Sequence, residues 1–394
     1  MKLNALLGAS ALALMAAQAV QAAETVKIGA LMIDSGPLAA FHQFSAKGLE
    51  TAVAEVNANG GINGKQVELV TVTYAGTPDA ALQAVTRLVK TDKVAAVTGM
   101  IPTGVSLAIS GRATALNTII MDPLSASGTR CNKNFFRIKA SDKMQAASYD
   151  AYLQTIGIAS WDIIAGDATS GHDNATSFAG SVERAGGSVK KQVFTPIPNA
   201  DFGTYITQLG EAPAEGLMAI IYGTDGVNLS RQQQQFGLFS KYKVVLGNNY
   251  AVPAVLEAMG ESAEGVVQNL VYIPAAEVEG HPSFAEAFRN QAGFAPDDVA
   301  FDMYSAVRFL AAGMNKAGNE TAADISNALE GLVIDTALGP AEMRAADHQM
   351  ARPMFFAKAV KLAEPSDGKT MSYEIQARIE PQDYMPAPAA DCKM

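Results

Sequence analysis

Hydroxyl, amide and carboxyl side chains recur at six places in this chain, each just after a predicted strand: Ile33–Phe41, Met100–Thr103, Asp122–Gly128, Asp167–His172, Gly223–Gly226 and Gly247–Tyr250. Side chains of these types can hold a small polar molecule by hydrogen bonds, whereas turnover needs an activated nucleophile or a matched acid and base. The sequence offers no such machinery after residue 22: no G-x-S-x-G elbow, no H-E-x-x-H and no C-x-x-C. Asp122, Asp167 and Asp225 stand singly, and His42, His172, His281 and His348 are too scattered to suggest a metal set. Gly60-Gly61-Ile62-Asn63-Gly64-Lys65 has the outline of a phosphate loop, but Asn59 stands where the first glycine belongs and Gln66 where Ser or Thr belongs. Binding without chemistry is therefore the expectation, with no cofactor and no metal. Loops are polar in most proteins, so composition alone makes these six segments candidates and no more.

The elements that would position them are legible from periodicity. Lys2, the apolar run Ala5–Ala17 and Val20-Gln21-Ala22 read as a secretory signal peptide over residues 1–22, which predicts export to a bacterial periplasm. The remainder is far longer than the roughly 100–200 residues of one compact domain, so two lobes are expected. A hydrophobic content of 49% against 17% charged residues supports large cores. The net charge of −10 disfavours nucleic acid and anionic lipid as partners. Cys131 and Cys392 are the two cysteines, and an even pair in an oxidising compartment reads as a disulfide.

From Val26 onward short β-branched runs alternate with helix-period segments, the pattern of βαβ units and parallel sheets. Strands are predicted at 26–32, 67–74, 94–98 and 118–121, with helices at 46–59, 78–91 and 104–116 between them. A second group repeats the order from residue 142 to 246, and helices at 283–294 and 299–317 are expected to pack back on the first sheet. The fold class is thus α/β, with two doubly wound parallel-sheet lobes. Open parallel sheets take ligands at the carboxyl ends of their strands, which is where the six polar segments lie.

Ser35-Gly36-Pro37, the run Asn57-Ala58-Asn59-Gly60-Gly61-Ile62-Asn63-Gly64-Lys65, and Gly260-Glu261-Ser262-Ala263-Glu264-Gly265 resemble the leucine/isoleucine/valine-binding protein family, the type I periplasmic binding proteins of ABC importers. Asp302, Tyr304 and Ala306 resemble that family's late aromatic-bearing helix. The resemblance implies a three-crossover hinge near Ser141, Tyr272–Pro274 and Ala351–Phe355. It divides the chain into lobe 1, residues 24–141 and 275–350, and lobe 2, residues 142–274 and 351–394. It further implies a small carboxylate ligand, a membrane permease as partner, and a monomer. By the same resemblance Thr103 and the loop Ser125, Ala126, Ser127 take the ligand's carboxylate, and Phe41 acts as an aromatic lid. Ser170 and Gly171 belong to the closing loop of lobe 2, and Asp225 falls where the family has an aromatic or acidic contact.

One position departs from the family. The acidic residue that meets the ligand's ammonium, expected after the strand Val244–Leu246, is replaced by Asn248 or Asn249. A buried ammonium without a counter-charge is costly. Either Asp225 supplies the charge, or the ligand is an amine-free aromatic or branched acid whose distal oxygen bonds Asn248, Asn249 and Tyr250. A periplasmic sensor for a signalling receptor and a secreted α/β hydrolase are the rival readings.

Overall fold

The computed structural model describes residues 24–126, 128, 131–366, 368–388 and 392. The predicted signal peptide and Ser127 lie outside the described residues. Fifteen strands occur among the described residues. The first five are β1 (Thr25–Met32), β2 (Gln66–Thr73), β3 (Ala96–Gly99), β4 (Ile119–Asp122) and β5 (Phe135–Arg137). Then come β6 (Ser160–Gly166), β7 (Ser188–Thr195), β8 (Gly216–Ile220), β9 (Val244–Gly247) and β10 (Val266–Leu270). The last are β11 (Val333–Thr336), β12 (Gly339–Arg344), β13 (Gln349–Ala351), β14 (Met354–Ser366) and β15 (Lys369–Ile379).

They build two sheets, ordered β11-β12-β13-β5-β4-β3-β1-β2 and β15-β14-β10-β9-β8-β6-β7. Strands β1–β5 pair in parallel, as do β6–β10. The orders β2-β1-β3-β4-β5 and β7-β6-β8-β9-β10 are one doubly wound arrangement used twice. In each, the strand order reverses beside the first strand of the group, between β1 and β3 and between β6 and β8. The chain passes between the sheets after β5, after β10 and after β13. The strands β11–β15, which pair antiparallel except where β13 runs parallel to β5, fall outside the predicted βα pattern. The hairpin β14–β15 closes one edge of the second sheet.

Local chemistry explains the element ends. The helix Asp142–Ile156 starts where the Ser141 hydroxyl accepts the Met144 N–H at 3.2 Å, and it stops at Gly157, whose φ of 64° suits glycine. The predicted helix 104–116 is shorter, Thr103–Ser110, because Gly111 ends it and the next residues turn through short-range bonds such as Arg112 N–H to Ile109 O. The 20-residue helix Asp298–Ala317 is capped by Asp297 Oδ1, which accepts the Ala300 N–H at 2.9 Å. This helix is buried along most of its length and packs on β3, β4 and the helix His42–Ala58. A Cβ on Gly48 would lie 2.3 Å from the Ala300 carbonyl oxygen, so glycine permits the close crossing of the two helices.

The segment with a phosphate-loop outline is a structural turn: Ile62 and Lys65 exchange backbone hydrogen bonds at 2.8 and 2.9 Å, and the Asn63 N–H donates to Asn315 Oδ1 at 2.7 Å. Asn57 bonds both backbone groups of Val67, at 2.6 and 3.0 Å, and fastens the end of the helix His42–Ala58 to β2. Cys131 and Cys392 form the expected disulfide, with Cα atoms 5.1 Å apart across 261 residues of sequence. It ties the C-terminal tail to the segment before β5.

Candidate functional site

The carboxyl ends of β1 and of β6, β8 and β9 open onto one cleft of about 740 Å³. From the first sheet's side it is lined by Phe41, Leu124, Lys139, Asp297, Asp298 and Val299. From the second sheet's side come Ser170, Asp173, Asn174, Tyr222, Asn249 and Val252, with Asp142 beside them. Phe41, Leu124, Val252 and Val299 give the cleft an apolar body, and the acids, amides and hydroxyls give it convergent polar groups. That combination is the ordinary make-up of a small-molecule site. Asn174 Nδ2 donates to the Tyr222 hydroxyl at 3.1 Å, which fixes the ring at the cleft wall.

The residues singled out from the sequence are placed unequally. Phe41, Ser170 and Asn249 line the cleft directly. Thr103 is half-buried in the first turn of its helix, after β3 and so at the strand-order reversal, but outside the cleft lining. Ser125 is buried; its hydroxyl bonds Asp122 and its N–H donates to Asp122 Oδ1 at 3.0 Å. Ser106 donates to the same carboxylate at 2.7 Å and Leu124 N–H at 3.0 Å, so Asp122 is the anchor of this loop. Burial pushes the Asp122 pKa up, while these donors pull against it. The Ala126 carbonyl accepts from Arg137 at 3.3 Å and from the Asp142 N–H at 3.2 Å.

On the other wall Gly171 is a close-packing residue: a Cβ there would stand 1.9 Å from the Gly166 carbonyl oxygen. Asp225 Oδ2 accepts the Asn199 N–H at 3.0 Å, holding the helix Gly223–Phe236 to the loop after β7, and it does not line the cleft. Asn248 opens on a small polar recess beside the cleft, with its amide 3.4 Å from Asn174 Oδ1. Asn249 bonds Asn248 at 3.0 Å. Tyr250 is fully buried in the core of the second lobe, where burial pushes its hydroxyl pKa up.

Reading the sequence missed a charged cluster at the hinge side of the cleft. Lys139, between β5 and the helix Asp142–Ile156, lies 3.0 Å from Asp298 and 3.6 Å from Asp302. Burial works to lower the lysine pKa, but Asp298 and Asp302 outweigh it and hold the ammonium charged. Asp302 also pairs with Arg352, between β13 and β14. Burial and the neighbouring Asp298 push Asp297 up to about 8. The run Asp297-Asp298 ahead of an apolar helix reads as ordinary N-terminal capping, so the sequence alone carried no signal for a site there.

The arrangement of two doubly wound lobes around a shared cleft agrees with the comparisons. A family model described as periplasmic binding protein matches residues 25–369. The chain belongs to this family. Among its relatives is the Leu/Ile/Val-binding protein homolog 3 of Brucella melitensis, 29% identical over 324 residues, covering 80% of this chain and 86% of the relative. A branched-chain amino acid ABC transporter periplasmic ligand-binding protein from Burkholderia xenovorans has a similar structure, with a TM-score of 0.81, 21% identity, and coverage of 92% of this chain and 97% of that one. So does a solute binding protein of an ABC transporter from Rhodopseudomonas palustris in complex with 3,4-dihydroxybenzoic acid, with a TM-score of 0.77, 19% identity, and coverage of 91% and 98%. Periplasmic binding proteins of this family serve transporters and are not enzymes, in keeping with the lack of catalytic motifs.

Proposed function

We propose that this periplasmic binding protein is the substrate-binding component of an ABC importer, closing its two lobes over a small carboxylate. The ligand class is a branched-chain amino acid or a related acid, aromatic acids included. The observation that carries this reading is the cleft itself, which opens beside the strand-order reversal of both sheets and takes its lining from both. The names of the relatives point the same way, one to Leu/Ile/Val and one solved with a hydroxylated benzoic acid.

In this reading the lobes are residues 24–141 with 275–350 and residues 142–274 with 351–394. They turn about Ser141, Tyr272–Pro274 and Ala351–Phe355. The ligand's carboxylate docks toward Thr103 and the loop Ser125–Ser127, where a helix N-terminus adds backbone donors. Closure then brings Ser170, Asn249 and Asp225 toward it, and Phe41 covers the apolar end. A membrane permease reads the closed form. Residues 1–22 direct export and are removed, and the mature protein acts as a monomer.

The test is a thermal-shift screen of the mature protein against proteinogenic amino acids and against aromatic and short-chain acids without an amine. A ligand at about 100 times its Kd adds roughly 2.7 kcal/mol. A clear upward shift with members of either set is the expected result. No shift with any acid contradicts the reading.

A further inference from the structure

The C-terminal tail has anchors in both sheets' domains. The helix Pro381–Tyr384 packs on the helix Asp142–Ile156 of the second lobe. Tyr384 is 2% exposed in a core shared with Tyr152, Trp161, Met354 and Phe356, and its hydroxyl donates to the Arg352 carbonyl. Two positions further on, the Pro386 carbonyl accepts from Arg344 Nη1 at 2.9 Å. Arg344 ends β12 in the first sheet, and Asp347 pairs with its Nε and Nη2 and so fixes the guanidinium. Cys392 then joins the tail to Cys131. The segment carrying Cys131 is itself tied into the first lobe: Asn132 Oδ1 accepts the Thr114 hydroxyl at 3.0 Å, and the Ser326 hydroxyl donates to the Lys133 carbonyl at 2.5 Å.

We propose that the tail beyond Tyr384 is a strap across the hinge, a fourth connection between the lobes that restrains how far they swing. This rests on the proposed reading of two lobes turning about three crossovers. The strap runs beside those crossovers. A cavity of about 110 Å³ lies under it, bounded by Pro386 and Ala387 of the tail, Ser141 of the first crossover, Arg137 and Gln349 of the first lobe, and Met144 of the second.

Chain length makes the restraint tight. Two residue steps reach at most about 7 Å, so while Arg344 holds Pro386 the second lobe's core stays within that reach of β12. Such a hydrogen bond alone contributes only about 0.5–1.5 kcal/mol and would open often. The disulfide changes this, because it keeps Pro386 on a short leash when the bond breaks and makes re-forming it an intramolecular event at high effective concentration. With the bond broken, the eight steps from Tyr384 to Cys392 still cap their separation at roughly 29 Å. A bridge within one lobe would hold the tail in place and leave the hinge free. Here the tail is anchored in one lobe and bridged to the other.

Pulsed electron spin resonance between labels on keto side chains introduced at Asp79 and Glu183, exposed positions on the two lobes, reads the interlobe distance distribution of the unliganded mature protein and leaves the cysteines untouched. Cys131→Ser/Cys392→Ser is expected to broaden that distribution. A flexible Gly-Ser insert between Ala387 and Pro388 keeps the bridge but slackens the strap, and is expected to broaden it in the same way. Thermal unfolding confirms that each variant is folded at the measuring temperature; where the cysteine variant is not, the insert alone decides. A width unchanged in the insert would make the bridge a simple staple of the tail and overturn the inference, as would a width unchanged in the cysteine variant. Leucine and 3,4-dihydroxybenzoate added to the parent separate this from the closure reading. A distance that shifts with either compound while neither variant broadens would overturn the strap and keep the closing lobes. Broadening in both variants without a response to either compound would keep the strap and count against closure over such acids.

Discussion

Arg352 and Asp302 form an ion pair in which the arginine is 2% exposed and the aspartate fully buried. The pair joins the third crossover to the helix Asp298–Ala317, and the guanidinium also lies 5.5 Å above the Phe301 ring. Removing one member of such a pair strands the other. Arg352→Met is therefore expected to cost about 3–5 kcal/mol in urea unfolding, and the double variant Arg352→Met/Asp302→Leu to recover most of it. A single variant as stable as the parent would show that Asp302 finds sufficient compensation in Lys139, 3.6 Å away.

Asp297 makes stability depend on pH with a definite sign. Its carboxyl titrates near 8 in the folded chain against about 4 unfolded, so between those values the folded state binds more protons. Its contribution is protective at the acid end and is lost as pH rises from about 4 to about 8. Asp297→Asn, which cannot ionise, should gain stability relative to the parent across that window and keep a constant difference above pH 9. Unfolding free energies at pH 5, 7 and 9 for the two proteins check this; parallel curves would place the Asp297 pKa in the ordinary range.

The Cys131–Cys392 bridge closes 261 residues of chain. Its reduction, or the double Cys131→Ser/Cys392→Ser variant, is expected to lower stability by about 2–5 kcal/mol. Neither cysteine lines the cleft, so any change in ligand affinity comes through the hinge and not through a lost contact. Denaturation and calorimetry with and without reductant separate stability from affinity.

The α/β architecture was legible because buried parallel strands write themselves as short β-branched runs between helix-period segments, and both groups of this chain do so. The antiparallel hairpin was equally present in the alternation of Lys369-Thr370-Met371-Ser372-Tyr373, but it interrupts the βα rhythm and went unread. Site residues on the strand-end loops, such as Phe41, Ser170 and Asn249, could be found from topology alone. Ser125 and Tyr250 show the limit of that logic. A polar side chain in the right loop can turn inward, as Ser125 does to bind Asp122, and a tyrosine one residue past Asn249 packs in the core. Lys139, Asp297 and Arg352 come from segments far apart in sequence, and their meeting at the hinge is set by how the crossovers run side by side. No spacing in the chain announces it.

Thr103→Ala tests where the carboxylate docks. A charge-assisted hydrogen bond is worth about 1.5–3 kcal/mol, so the variant should bind the ligand identified by screening at least tenfold more weakly with little change in stability. Unchanged affinity would move the carboxylate site away from the Thr103 helix.

The central claim is that binding closes two lobes around a cleft, and small-angle X-ray scattering of the mature protein reads it most directly. With the ligand at saturation the radius of gyration should fall and the scattering profile should fit a more compact form. Superimposable profiles with and without a saturating ligand would contradict the account.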